Sequence, residues 1–144
     1  MLVAPTVERI ETRVASLAGR VETALQLSEM IRKNALPQHT PAAFVLPTGL
    51  RGGPEDAGAG AFTQMLSEMV GVVLVVRDNT PTGRLALREF DTLVRSVVEA
   101  VAGWAPSDQV GVFRVVSGRV ISAASGAVVY QLEFSISDQL RIQP

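Results

Sequence analysis

One eight-residue run constrains the fold more than any other segment of this sequence. It reads Val-Gly-Val-Val-Leu-Val-Val-Arg from Val70 to Arg77. A run with apolar side chains at both odd and even positions is typical of a strand that is covered on both faces. The apolar part is far too short to cross a bilayer. The run therefore predicts a central strand, with neighbouring strands on either side.

Three segments have the spacing of amphipathic helices. The first begins at Thr6 and the second runs from about Arg20 to Lys33. The third has the clearest pattern, because its apolar residues recur every three or four positions and its charged residues fall on the opposite side. Its apolar stripe consists of Ala86, Phe90, Leu93, Val94, Val97, Val101 and Trp104. This helix is expected to pack on a face of the sheet.

Further strands are predicted on both sides of the central one. Ala42–Leu46 is a short apolar run, and Val128–Ile136 alternates apolar and polar residues, as in an antiparallel sheet with one buried face. Between them, residues 113–122 contain Ser117-Gly118, which is either a hairpin turn or a bulge. The expected fold is a single α+β domain over residues 1–144. Its mostly antiparallel, four-stranded sheet packs against two to three helices.

The segment from Thr48 to Ala61 contains five glycines and Pro54. It offers few side chains to bury, so it is predicted to be a long mobile loop. It lacks the Gly-Lys-Ser/Thr ending of a phosphate-binding loop. Ordering such a loop costs conformational entropy, and we expect it to dock on a neighbouring subunit or on the tail tube during assembly.

The side chains that carry chemistry are sparse and scattered. There is no cysteine, and His39 is the only histidine, which leaves no base with an orienting partner and no set of metal ligands. The carboxylate pairs Glu55-Asp56 and Glu89/Asp91 are expected in the loop and on a solvated helix face, where neither environment would shift a pKa usefully. The sequence therefore predicts no catalytic residue, no metal site and no cofactor, and the protein is expected not to be an enzyme.

The composition favours a protein that works by assembling with other subunits over one that works by catalysis. Apolar residues make up 47% of the chain, which is rich for a free monomer, and self-association is the simplest way to cover excess apolar surface. The net charge of −1 gives no footprint for tight nucleic-acid binding. No signal peptide or membrane span is predicted, so synthesis in a cytoplasm is expected.

The order and spacing of several short segments resemble the bacteriophage tail terminator family, including terminators of tail-like particles such as gene transfer agents. The resemblance spans about Thr6 to Ser137. It rests on these segments in order: Pro41-Ala42-Ala43-Phe44-Val45-Leu46-Pro47, the glycine-rich segment, the apolar strand ending in Val76-Arg77-Asp78, Gly103-Trp104-x-Pro106, Ser117-Gly118-Arg119-Val120 and Gln131-Leu132-Glu133-Phe134.

The resemblance implies a specific structural role in the virion. Such proteins form a homohexameric ring that caps the last ring of tail-tube protein, stops tube polymerisation at the correct length and presents the surface that joins the head–tail connector. DNA passes through the lumen without sequence-specific contact. Two alternatives stay open: a small-molecule-binding or regulatory α/β dimer with a helix-on-sheet cleft, or another phage neck or head-completion protein.

Four arginines are candidates for the ring interface or the lumen edge: Arg51, Arg77, Arg84 and Arg88. The turn Asp78–Gly83 is expected to bring the last three into one neighbourhood. There they either pair with nearby carboxylates on the solvated surface or contact a neighbouring subunit or DNA phosphates.

Overall fold

A mixed sheet with helices on both faces organises the chain. The computed structural model describes residues 2–33, 35, 37, 39–58, 60–77, 84–107, 111–124 and 126–143, without the side chains of 84–87 and 124. Over these ranges the elements are α1 (Val3–Arg13), a 3₁₀ turn (Ala15–Leu17), β1 (Val21–Thr23), α2 (Ala24–Arg32), β2 (Ala42–Asp56), β3 (Phe62–Arg77), α3 (Arg84–Val101), β4 (Arg114–Ala124) and β5 (Ala127–Ile142).

The strand order across the sheet is β1-β2-β3-β5-β4. β1 runs parallel to β2, and the other neighbouring pairs are antiparallel. β3 therefore lies in the middle, and its segment Val70–Val76 is buried. The prediction of a central strand is confirmed, because β2 and β5 satisfy its backbone and both of its faces are covered.

The larger core lies between the sheet and the helices α1 and α3. Leu93, Val97 and Val101 project from α3 onto the sheet, as the helical stripe predicted. β5 contributes its predicted apolar face, and Phe134 in that face is fully buried. Three aromatic contacts organise this core: Phe113 with Phe134 (6.5 Å between ring centroids), Trp104 with Phe113 (5.8 Å) and Phe90 with Tyr130 (4.9 Å).

A smaller core lies on the opposite face of the sheet. Its buried members are Phe44, Val73, Val75 and Val129. Leu27 and Met30 of α2 pack against them. α2 begins at a capping box, in which the backbone N–H of Thr23 donates to Oε1 of Gln26 over 3.1 Å.

The strand count and the sheet type differ from the prediction. The described part of the chain forms five strands in a mixed sheet, and four mostly antiparallel strands were expected. The additional strand is β1, whose Val21, Glu22 and Thr23 pair with residues 43–45. Three residues are too few to show a period, so the segment was assigned to the helix that follows it.

The predicted glycine-rich loop at 48–61 is also corrected. Residues 48–56 form the second half of β2 and pair with β3. Register shifts between Pro47 and Gly49 and between Gly52 and Glu55 absorb the irregular residues. Gly53 lies at a close approach of the two strands, because a Cβ there would lie 3.2 Å from the Met65 carbonyl oxygen, which is tighter than usual packing. These glycines mark bulges and close strand approach, which composition alone does not distinguish from a loop.

The open alternative at Ser117-Gly118 is resolved as a bulged strand. β4 is one strand from Arg114 to Ala124, with register shifts at Val115/Ser117 and Val120/Ser122. A Cβ at Gly118 would lie 2.4 Å from the hydroxyl of Tyr130, so this position accommodates the tyrosine side chain.

Arg9 fastens α1 to the end of α3. Its Nε donates to the carbonyl oxygen of Ala100 over 2.8 Å, and its guanidinium lies 5.2 Å from the centre of the Trp104 ring. Burial, with a smaller effect of the Arg13 charge, lowers the pKa of Arg9. We expect Arg9→Ala to lower the free energy of unfolding by about 1–2 kcal/mol. Urea denaturation measures this, and the exposed Arg13→Ala is the control with little effect; equal losses would contradict the contact.

Ser135 is a buried hydroxyl without a hydrogen-bond partner among the described residues. Its side chain is fully inaccessible, and its Oγ is unsatisfied. Removing an unpartnered buried polar group recovers its desolvation cost. We therefore expect Ser135→Ala to leave the free energy of unfolding unchanged or to raise it by up to about 1 kcal/mol. A loss above that amount in urea denaturation would show that the hydroxyl has a partner.

Candidate subunit-contact surfaces

A three-stranded arm extends beyond the helices. It consists of residues 47–56 of β2, 62–69 of β3 and 135–142 of β5, which stay paired along their length. The body is buried as far as Val70 and Ile136, whereas most arm residues are partly or fully exposed. With eight residues of β3, the arm is about 27 Å long. Its middle strand is paired with β5 throughout and with β2 except around Met65, so its side chains are held on two defined faces.

One face of the arm carries an open apolar groove of about 650 Å³. Leu50, Leu66 and Leu140, from three different strands, line it, and Leu2 of the N-terminal segment closes one end. Leu50 is 69% exposed. The two charged residues that line the groove, Glu68 and Asp138, are both acidic. The groove is thus an apolar surface with negative charge.

The edge strand β4 forms a second uncovered surface, here called the β4 ridge. β4 pairs with β5 on one side only and is the last strand of the described sheet. Five aliphatic side chains on or next to it are between 41% and 55% exposed: Val112, Val115, Val116, Val120 and Ile121. Its charged residues are Arg114 and Arg119. Val115 and Val120 lie opposite Phe134 and Tyr130, on the face of the larger core, whereas Arg114 and Arg119 lie opposite Ser135 and Gln131, on the other face. The ridge is thus a strand edge with apolar side chains on one side and positive charge on the other.

The candidate arginines lie in different parts of the molecule. Arg77 is the last residue of β3 and is partly buried. Its backbone N–H donates to Oγ1 of Thr40 over 3.1 Å, and its side-chain Nε–H donates to the carbonyl oxygen of Pro37 over 2.7 Å. These contacts hold the segment before β2. Arg51 lies in the arm opposite Ser67, about 33 Å along β3 from Arg77. The four arginines therefore do not form one cluster.

Arg84 and Arg88 belong to the first turns of α3. Arg88 is exposed and borders a shallow pocket of about 360 Å³ with Ser16 and Pro41. The side chain of Arg84 and the whole turn at 78–83 lie outside the described residues. The predicted neighbourhood of Arg77, Arg84 and Arg88 therefore stays a prediction.

The residues with catalytic or metal-binding potential are exposed and apart. His39 lies in a bend before β2, Glu55 and Asp56 lie at the end of the arm, and Glu89 and Asp91 lie on the solvent side of α3. Across the described ranges, no three histidine, cysteine or acidic side chains come close enough to hold a metal ion. Within the same ranges, no helix is long and apolar enough to cross a membrane.

Neither the arm groove nor the β4 ridge was predicted from the sequence patterns. The groove joins residues from three strands, and its β2 part was hidden in the predicted loop. One signal was available: in β5, Leu140 and Ile142 keep the apolar parity of Ile136, with Asp138 as the one polar residue between them. A strand that stays apolar on one face after its core has ended indicates a second contact surface.

Comparison with protein families agrees with the resemblance seen in the motifs. The family model described as phage tail terminator protein matches residues 1–144, the whole chain. Comparison with curated proteins gave no match. The match includes the arm, the β4 ridge and both cores, so it covers the fold and its uncovered surfaces together. The chain therefore belongs to the phage tail terminator protein family.

Proposed function

We propose that this chain forms a hexameric ring that caps the head-proximal end of a tail tube. In this role it stops tube polymerisation at the correct length and provides the surface that the head–tail connector joins. DNA passes through the lumen without sequence-specific contact. Membership of the family by itself supports a more general role: the protein is a structural tail-completion component of the virion that interacts with tail and head proteins.

The observation that carries the proposal is the family match over the full length of the chain. Two features of the molecule support it. The groove and the β4 ridge are different surfaces on one chain, and a contact between different surfaces generates rings or open filaments. The net charge of −1 disfavours tight phosphate binding, which suits a lumen through which DNA must pass.

Native mass spectrometry tests the assembly directly. The protein is measured alone and after mixing with the tube protein of the same particle. A hexameric species, free or bound to tube subunits, is expected. A strict monomer or dimer under both conditions would contradict the ring, and a dimer would favour a regulatory α/β protein.

The arginines at the start of α3 are proposed to face a ring neighbour or the lumen. We expect an Arg84→Glu/Arg88→Glu variant to fold normally and to lose ring formation or tube termination, because each change reverses a charge at the proposed contact. The control is Arg13→Glu/Arg95→Glu, which makes the same change in net charge at exposed sites. Circular dichroism checks folding and electron microscopy checks tubes. If both variants terminate tubes like the parent, Arg84 and Arg88 take no part in a ring or lumen contact.

A further inference from the structure

The β4 ridge is a strand edge and the arm groove is concave, and the two surfaces carry opposite charges. The ridge presents Val115 and Val120 on one side of β4, and Arg114 and Arg119 on the other. The groove presents leucines with Glu68 and Asp138. Each surface alone leaves apolar area in water, and the outer edge of the ridge has no strand partner within the described part of the chain.

Neither surface can be covered by the other within one chain. β4 lies in the plane of the sheet beside residues 127–135 of β5, and the groove lies on a face of the arm formed by residues 135–142 of the same strand. A rigid sheet holds the two apart, so the ridge of one molecule can reach only the groove of another.

We infer that the β4 ridge of one copy docks into the arm groove of the next copy. The occupant is a second copy of this chain, since both complementary halves are present on it. In the contact, β4 enters the groove edge-on. Its aliphatic side chains pack on Leu50, Leu66 and Leu140, and the two arginines, on the other side of the strand, meet the two groove carboxylates. Paired in this way, each charge is compensated when it leaves water.

The contact is heterologous, so each molecule uses its ridge on one side and its groove on the other. Such a contact closes into a ring when the rotation between neighbours permits and otherwise continues as a filament. The inference rests on the proposed function only for ring closure. The pairing of the two surfaces stands on their geometry and charge.

Cysteine cross-linking tests the pairing, because the parent chain has no cysteine. One variant carries Val120→Cys on the ridge and another carries Leu50→Cys in the groove. Both positions are exposed, so neither change should disturb folding. After mild oxidation of an equal mixture, we expect disulfide-linked dimers that contain one chain of each variant, at a rate at least about tenfold above each variant alone. Val120→Cys mixed with Leu25→Cys, on the exposed side of α2, is the control that should stay monomeric.

Charge reversal tests the ionic part of the same contact. Arg119→Glu on the ridge chain is expected to slow cross-linking about tenfold, and Glu68→Arg on the groove chain is expected to restore it. Homotypic dimers, or a mixed rate equal to the Leu25→Cys control, would overturn the inference. Protection of the Leu50→Cys thiol only by added tube protein would also overturn it and assign the groove to the tube.

A chain that carries both cysteines separates the two proposals. A covalent ladder that ends at the hexamer supports the pairing together with ring closure. A ladder that continues beyond it supports the pairing and contradicts the closed ring. Absence of a ladder overturns the pairing, whatever the mass of the native assembly.

Discussion

Replacing Phe134 with alanine is expected to lower the free energy of unfolding by about 3–5 kcal/mol. Phe134 is fully buried in β5, between the sheet and α3, and its ring packs edge-to-face on Phe113. Phe113 in turn stacks on Trp104, so the truncation removes contacts from a chain of three aromatic rings. The surrounding strands are paired on both sides of β5, which limits how far the site can collapse into the cavity.

Urea denaturation of the isolated chain measures this loss. Val120→Ala, on the 55% exposed ridge, is the matched control in the neighbouring strand and is expected to change the free energy of unfolding by less than about 1 kcal/mol. A loss below 1 kcal/mol for Phe134→Ala would mean that the larger core does not lie on this face of the sheet.

The second large effect is expected on the opposite face. Phe44 is fully buried in β2 and anchors the smaller core with Val73 and Val129. We expect Phe44→Ala to cost about 3 kcal/mol, near the low end for phenylalanine. The reason is a neighbouring open pocket of about 460 Å³ lined by Phe44, Met30 and Ala42, from which water can enter the space that the ring leaves.

Hydrogen exchange distinguishes this effect from a general loss of stability. Because α2 rests on the smaller core, Phe44→Ala should reduce amide protection in α2 more than in α3. Leu25→Ala, which truncates an exposed side chain of α2, should change neither protection nor stability measurably. Equal loss of protection in α2 and α3 would show that the two cores are not separate.

The elements that could be predicted from the sequence are those with a long, regular pattern. Val70–Val76 indicates a central strand because both parities are apolar, and the face of β5 that contains Phe134 follows from simple alternation. The stripe on α3 extends over several turns. In each case the pattern reports directly which faces are covered.

The elements that could not be predicted depend on contacts between distant segments. β1 is three residues long and exists because residues 43–45 offer it a parallel edge. The arm strand of β2 contains glycines whose role is visible only from the position of Met65 on the neighbouring strand. The groove has little local signature beyond the apolar residues at the end of β5, since Leu50, Leu66 and Leu140 meet only when three strands take their register.

The candidate arginines show the same limit. A short turn predicts that Arg77 lies near the start of α3, and this stays a prediction. The hydrogen bonds that Arg77 makes to Thr40 and Pro37, far away in the sequence, had no signal in the pattern. Arg51 was placed in a loop and lies in a strand of the arm. Sequence proximity alone therefore does not give the surroundings of these arginines.

Tail length is the most direct measure of the central claim, that this chain caps the tail tube. Particles are produced with and without the gene for this chain, and their tubes are measured by electron microscopy. We expect tubes of one length, each with a ring at its head-proximal end, when the chain is present, and tubes of variable, excessive length without heads when it is absent. The same narrow length distribution in both preparations would contradict the account.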